Sequence, residues 1–395
     1  MAIINNSDGA ETLTEALLLA RLEAMVPRLR ERAAETEARR ELPPLTVDEA
    51  IATGFVGAFR PRARGGSGLG LSTIANGTRI LAHGCASSAW AIVFLTQHAW
   101  MAGKMPEATQ AALFDADELP LIAGALAAIG TATRVEGGYM VSGTSEWNSS
   151  IAHSAWANMK ARVDDTDEVL SFYLPVRDVD RHDRWHTSGM RGTSSDSFSA
   201  RDVFVPEALA VPMKVLATSA LPHPDEPFID YPYIATVSIT CSAVVLGAAE
   251  AAVELFEEKM RSRVLVFSAN EQQVDQPFAQ MRLGEADLRM TMARSLWDSC
   301  ISEMDELCGN GGTMTVAQRV AIRARCALVV RECRDVISSI MNAAGGSSYF
   351  LSAPLQRIQR DVEVLKSHAM FDWDRTAALQ GRMRLGMKAS PSDLL

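Results

Sequence analysis

Residues 135–156, VEGGYMVSGTSEWNSSIAHSAW, decide the fold of this 395-residue chain. Two segments of alternating apolar and polar residues flank Gly137 and Gly138, and a glycine pair between such segments predicts a β-hairpin. Two further short strands are predicted at EVLSFYLPV and SFSARDVFVPE, in a region with many turn residues. Residues 117–219 are therefore predicted to form a small β domain.

Helical patterns lie on both sides of this domain. Residues 1–116 are predicted to be an N-terminal helical domain, with a loop at FRPRARGGSGLG (59–70) and a second helix from Ser72. After a linker rich in Pro and Asp, residues 220–395 are predicted to form a four-helix bundle. Four segments in this part exceed the usual helix length: 234–263, 275–307, 315–344 and 354–383.

Composition excludes several classes of function. The net charge is −10 and no basic stripe is present, so neither nucleic acid nor an anionic membrane surface is an expected partner. No apolar run reaches the roughly 18 residues of a spanning helix. Six cysteines without CxxC or metal-ligand spacing predict buried thiols in a reducing cytoplasm. His182 and His186 lie in a strand-like region where their spacing does not share a face, so no metal site is expected.

Five strings in order resemble the acyl-CoA dehydrogenase superfamily: PRARGGSGL, HGCASSAWAI, the opening segment, RWHTSGMRGTSSDSFSARDVFVPE and GGSSYFLSAPLQRIQRD. The resemblance covers nearly the whole chain. It implies an α+β, mainly α fold with an N-terminal helical domain, a middle β-barrel-like domain and a C-terminal four-helix bundle. It also implies a homotetramer, because long bundle helices need a partner face.

Two departures from the dehydrogenase sequences indicate which group of enzymes within this superfamily the chain resembles. Ser352 stands where they often carry a glutamate base, and a serine is no base near neutral pH without an activator. LKSHAMFDWDRTA (365–377) replaces their glycine-rich flavin-contacting string and resembles the flavin-dependent monooxygenases of this fold. The resemblance implies an oxygenase component that hydroxylates an aromatic or indole-like small molecule through a flavin C4a-hydroperoxide. O₂ would be the co-substrate, and reduced FAD, or FMN, would come from a separate NAD(P)H-dependent flavin reductase.

The resemblance also implies catalytic residues. His368 is the first candidate for the base that acts on the substrate and His98 is the second, since histidine accepts a proton near neutral pH. Ser149 is the first candidate to hydrogen-bond the flavin near N5, with Ser150 and Thr193 behind it. Ser150 replaces the family's glycine, and serine adopts a positive φ poorly.

Further binding residues are predicted on the same basis. Arg263 is expected to reach a flavin phosphate from a neighbouring subunit, and Gly345 and Gly346 to let the backbone approach the cofactor. Trp147 is expected at the cofactor. The predicted substrate cavity is lined by His98 and four rings, those of Trp90, Trp100, Trp147 and Phe371. Arg360 and Asp361 are interpreted as a structural pair.

Three other functions stay open at this point. The first is an N- or S-oxygenase of the same fold, for which an amine substrate would favour a carboxylate in the cavity. The second is an acyl-CoA dehydrogenase whose base has moved to the glutamates between Glu250 and Glu258. The third is a helical bundle that serves as a non-catalytic interaction module.

Overall fold

Helices occupy both ends of the chain and strands occupy its middle in the computed structural model of the protein. The structure describes residues 12–114, 119–125, 130–166, 168–216, 219–266, 268–390 and 393. The helices before the strands are α1 (Glu15–Arg39), α2 (Pro44–Ala52), α3 (Leu71–Gly84), α4 (Ala86–Gly103) and α5 (Glu107–Phe114).

Helix α4 is the central helix of this first part. Nearly every residue along it is buried, and a helix that is apolar on all sides belongs in a protein core. It packs against α3, the later helix α6 and the first strand, β1. The predicted single helix from Ser72 is wrong in one respect, because Cys85 has an extended backbone that ends α3 before α4 begins at Ala86.

The described strands form one mixed sheet. They are β1 (Ile122–Gly124), β2 (Gly130–Val135), β3 (Gly138–Asn148), β4 (Trp156–Val163), β5 (Val169–Pro175), β6 (Asp180–His182), β7 (Asp196–Pro206) and β8 (Ala210–Pro212). The order is β6-β7-β3-β2-β4-β5-β8, and β1 pairs in parallel with β4. The predicted hairpin is confirmed: β2 and β3 pair antiparallel with Val135 opposite Gly138, and Gly137 has the positive φ that the turn requires.

The C-terminal part consists of α6 (Tyr233–Ser262), α7 (Pro277–Cys308), α8 (Val316–Ala344), α9 (Pro354–Leu365) and α10 (Trp373–Arg384). The predicted fourth helix over 354–383 is wrong in its middle, where residues 366–372 form turns. The Arg323 guanidinium on α8 binds the carbonyl oxygens of Ala369 (2.7 Å) and Met370 (3.3 Å) in this segment. The Asp372 carboxylate then caps the start of α10.

Helix α6 is long and apolar enough to cross a membrane by length and composition. However, 78% of its most apolar window is buried inside the fold, which is the pattern of a core helix. All six cysteines are free and buried, as the sequence predicts.

Candidate active site

A cavity of about 610 Å³ lies between α4, the sheet and the turns at 366–372. This volume falls in the range of small-molecule sites, roughly 300–1,000 Å³. Most of its surface is apolar and aromatic. Of the predicted site residues, six line it: Trp90, His98, Trp147, Ser149, Thr193 and His368.

One face of α4 forms the aromatic wall of the cavity. Trp90, Phe94 and His98 follow each other at intervals of four residues, so their side chains share a face. The Phe94 ring lies 4.8 Å from the Trp90 ring and 5.8 Å from the His98 ring, centroid to centroid. Sequence reasoning missed Phe94, although its spacing between the two predicted residues was a signal.

His98 is a neutral imidazole with a fixed tautomer. Its Nδ1 lies 2.7 Å from the carbonyl oxygen of Ile122 on β1, and only a protonated Nδ1 can bond to a carbonyl. Burial lowers the pKa of His98 to about 4; the hydrogen bond to Ile122 opposes this shift, and the positive charge of Lys160 adds to it. The Nε2 atom therefore carries a lone pair that can accept a proton or a hydrogen bond.

His368 has the opposite tautomer. Its Nδ1 accepts the backbone N–H of Met370 at 3.4 Å, which leaves the proton of the neutral ring on Nε2. The ring stands edge-on to Trp90, with centroids 5.2 Å apart. Burial, together with the nearby Arg323 guanidinium, lowers the pKa of His368 to about 4. His368 thus presents an N–H donor, whereas His98 presents an acceptor.

Three hydroxyl groups form a chain of hydrogen bonds in which the donor of each bond is determined. The Thr193 hydroxyl donates to the Met190 carbonyl (3.0 Å), so the Ser195 hydroxyl donates to Thr193 Oγ1 (2.7 Å). The Ser149 hydroxyl then donates to Ser195 Oγ (2.8 Å), while the Trp90 indole N–H donates to Ser149 Oγ (3.0 Å). Because a hydroxyl oxygen has two lone pairs, Ser149 Oγ keeps one acceptor position.

The two loops that carry these hydroxyls contain left-handed backbone. Trp147 and Ser150 have φ of 62° and 66°, and Met190 and Ser194 have φ of 53° and 47°. Such conformations cost about 1–2 kcal/mol per residue and cluster at functional sites. Ser150 itself is buried outside the cavity lining, where its Oγ donates to the Ala91 carbonyl on α4 (2.9 Å). This bond holds the serine in the conformation that the family's glycine adopts freely.

Lys160 on β4 also lines the cavity, and the sequence did not indicate it. Its side chain is only 3% exposed, and its Nζ donates to Asn158 Oδ1. Burial lowers the pKa of Lys160 to about 7. The sequence could not predict this position, because the face of the sheet on which the Lys160 side chain lies depends on how β4 packs.

Four predicted site residues lie elsewhere in this chain. Arg263 donates to the Ala343 carbonyl at the end of α8 (2.9 Å), and Gly345 has a positive φ in contact with the Arg263 guanidinium. Gly346 begins the turn that follows. Phe371 is buried behind His368, with ring centroids 6.0 Å apart.

The prediction that Trp100 lines the cavity is wrong. Its indole stacks on Phe228 at 5.6 Å and donates to the Phe228 carbonyl, on the far side of α4. Within the described ranges, no three His, Cys, Asp or Glu side chains are grouped as metal ligands.

Comparisons with known proteins agree with this geometry. Residues 239–373 match the acyl-CoA dehydrogenase, C-terminal domain family. The pigment production hydroxylase of Rhodococcus sp. is 30% identical over 385 residues, which cover 96% of this chain and 98% of that protein. The oxygenase component of p-hydroxyphenylacetate 3-hydroxylase from Acinetobacter baumannii is 27% identical over 387 residues, 95% of this chain and 90% of that protein. The chain belongs to the flavin-dependent monooxygenases of the acyl-CoA dehydrogenase fold.

A solved structure extends this result to three dimensions. XiaF from Streptomyces sp., in complex with FADH₂ and glycerol, superposes on this flavin-dependent monooxygenase with a TM-score of 0.90. The two chains are 28% identical over 96% of this chain and 98% of XiaF. The predicted fold class is therefore confirmed, as is the prediction of an oxygenase.

The side chains of this monooxygenase fit a reduced flavin. Aromatic rings offer flat apolar walls to a planar ring system. The unused lone pair of Ser149 Oγ suits an N–H donor, which a reduced flavin carries at N5. Trp147, 60% exposed, lies where the cavity meets solvent.

Proposed function

We propose that this chain hydroxylates an aromatic small molecule as the oxygenase component of a two-component system. The observation that carries the proposal is the polar lining of the cavity, where an acceptor imidazole, a donor imidazole and the Ser149 hydroxyl meet aromatic walls. Reduced flavin, when bound, supplies the electrons with which O₂ is activated. The buried walls keep water from the reacting groups.

Each polar group has a separate role in this proposal. Ser149 Oγ would accept a hydrogen bond from the N–H of a bound reduced flavin, and Trp90 would offer an apolar wall to it. His98 Nε2 accepts the proton that the substrate ring gives up, because its Nδ1 is already occupied by the Ile122 carbonyl. His368 would offer its Nε2–H as a hydrogen-bond donor to an oxygen atom bound in the cavity. His98 thus replaces His368 as the preferred base.

Two alternative functions receive less support. An N-oxygenase would need a free carboxylate, but Asp372, the one carboxylate among the described residues that line the cavity, accepts the Arg375 backbone N–H as a helix cap. A dehydrogenase with a relocated base would need a free glutamate on α6. Glu250 instead binds Arg79 (2.7 Å) and His83 (2.8 Å), and none of the glutamates between Glu250 and Glu258 is among the described residues that line the cavity.

A titration with reduced flavin tests the proposal. Reduced FAD and reduced FMN are added without oxygen, and binding is followed by the fluorescence of the tryptophans that line the cavity. We expect Ser149→Ala to weaken binding up to about tenfold, the value of one hydrogen bond. The matched control is Ser197→Ala, since the buried Ser197 hydroxyl has no hydrogen-bond partner in the described structure. Absence of binding of either flavin to the unaltered protein would contradict the proposal.

We further propose a homotetramer in the cytoplasm, served by a separate NAD(P)H-dependent flavin reductase. Four apolar side chains on α7 are exposed at helical spacing: Phe278, Met281, Leu288 and Met292. Such a stripe suits contact with a second copy of the bundle. In that assembly Arg263, with the adjacent Gly345 and Gly346, could serve the flavin of a neighbouring subunit. Free, buried thiols suit a reducing compartment. Gel filtration with light scattering tests the assembly.

A further inference from the structure

Lys160 is a buried amine that has no carboxylate partner among the described residues. Its Nζ has one hydrogen bond, to Asn158 Oδ1, and burial is the sole cause that shifts its pKa. Burying an ammonium group without a counter-charge is costly, so a bound molecule that offers it a hydrogen-bond acceptor or a negative charge would be stabilised. The side chain lines the cavity, so a bound molecule can reach it.

Lys160 and His98 both line the cavity, and they are held by the paired strands β4 and β1. Asn158 and Lys160 are two residues apart on β4 and therefore share a face of the sheet. Gly124 on β1 pairs with Asn158 and has no side chain, and a Cβ there would lie 2.8 Å from the Asn158 Cβ. His98 is bound to β1 through Ile122, and it is close enough for the Lys160 charge to act on its pKa.

His98 and Lys160 together determine which polar group of a ligand can bind between them. His98 Nε2 accepts a hydrogen bond, while Lys160 Nζ donates one. A ring hydroxyl can donate to the first and accept from the second. A carboxylate would turn oxygen lone pairs toward the Nε2 lone pair, and an indole N–H would leave the ammonium group without a partner.

We propose that Lys160 is a substrate-recognition residue that binds, together with His98, a hydroxyl group on the aromatic ring of the substrate. The proposal rests on the aromatic hydroxylation proposed above and narrows its substrate class from aromatic and indole-like molecules to hydroxyarenes. The ammonium group stabilises negative charge on the hydroxyl oxygen, and the hydroxyl proton passes to His98 Nε2, the acceptor to which it is hydrogen-bonded. The other titratable side chains that line the cavity are His98, His368, Tyr233, Asp372 and Arg375.

Binding of 4-nitrophenol, 4-nitroanisole and 4-nitrobenzoate to the flavin-free protein tests the proposal. Lys160→Met should weaken 4-nitrophenol binding roughly tenfold to 100-fold, the range of a charge-assisted hydrogen bond. Binding of 4-nitroanisole, which has no hydroxyl, should change less than about twofold. Lys259→Met, on α6 outside the cavity lining, is the matched control and should leave all three affinities unchanged. Asn158 Oδ1 keeps the Ser171 hydroxyl as a donor in the Lys160→Met variant, at 3.1 Å.

The outcomes separate the possibilities. Equal affinity of the unaltered protein and of Lys160→Met for 4-nitrophenol would overturn the proposal. Binding of 4-nitrobenzoate that is tighter than that of 4-nitrophenol and depends on Lys160 would also overturn it. If Lys160→Met does not fold, the ionisation of 4-nitrophenol on the unaltered protein decides. Its yellow phenolate should appear at lower pH when bound than when free, and appearance at higher pH would overturn the proposal. Neither assay uses flavin or oxygen, so failure here is distinct from failure of the reduced-flavin titration.

Discussion

Replacing Lys160 with methionine should make the unfolding free energy of the protein less dependent on pH. Burial holds the pKa of Lys160 at about 7 in the folded protein, against 10.5 for an ordinary lysine. Between these two values the unfolded chain binds nearly one proton more than the folded protein at this residue. The stability of the unaltered protein therefore rises with pH in this window, and the methionine variant lacks that contribution.

The magnitude follows from the two pKa values. One pKa unit corresponds to about 1.36 kcal/mol, and the folded lysine is half protonated near its own pKa of about 7. Between pH 7 and pH 9 the unaltered protein should gain about 2 kcal/mol of unfolding free energy relative to Lys160→Met. Near neutral pH the variant should be the more stable protein, because a side chain of similar size replaces a charge that has no counter-charge among the described residues.

Urea denaturation of both proteins at the two pH values measures this effect. The difference between the proteins isolates Lys160, because every other group titrates in both. A difference that stays constant within about 0.5 kcal/mol from pH 7 to pH 9 would refute the reasoning. It would mean that the ammonium group is solvated, or is paired, in the folded protein.

Three other predictions concern the neighbouring groups. Ser150→Gly should change the unfolding free energy by less than about 1 kcal/mol, because relief of the positive φ offsets loss of the hydrogen bond to the Ala91 carbonyl. Ser150→Ala loses the same bond and keeps the positive φ, so it should lower the unfolding free energy by about 1–2 kcal/mol. Similar denaturation midpoints for the two variants would contradict this. His98→Asn should lower kcat by roughly 100-fold or more while His368→Gln, which keeps an N–H donor, should lower it less, and steady-state kinetics showing the reverse order would assign the base to His368. Burial raises the pKa of Asp361 to about 7, so the folded state resists ionisation of this carboxyl group. Asp361→Asn should therefore gain stability relative to the unaltered protein as pH rises from about 4 to about 7. Thermal midpoints of the two proteins that run parallel across that range would contradict this.

The parts of the fold that local sequence determines were predictable. The glycine pair at 137–138 specifies the hairpin, and three of the four long C-terminal helices have the expected positions. The break at 366–372 was not predictable, because the segment contains neither Gly nor Pro. Its carbonyl groups are bound by Arg323, which lies more than forty residues away in sequence.

The same distinction applies to the site. Trp90 and His98 share a helical face, so their common wall follows from spacing alone. The direction of the Ser149 hydroxyl depends on Ser195, Thr193 and a backbone carbonyl from another loop, which no local pattern specifies. The role of Lys160 depends on which face of β4 meets the cavity, and on the absence of a carboxylate near it in the described fold.

We propose that this cavity transfers one atom of molecular oxygen to an aromatic ring. The direct test supplies reduced flavin from a generic reductase and ¹⁸O₂ to the protein with a panel of hydroxyarenes and indoles, and analyses the products by mass spectrometry. We predict a product that carries one ¹⁸O atom and forms only when protein, reduced flavin and oxygen are all present. Consumption of all the reduced flavin as hydrogen peroxide, with no labelled product from any hydroxyarene or indole, would contradict the claim.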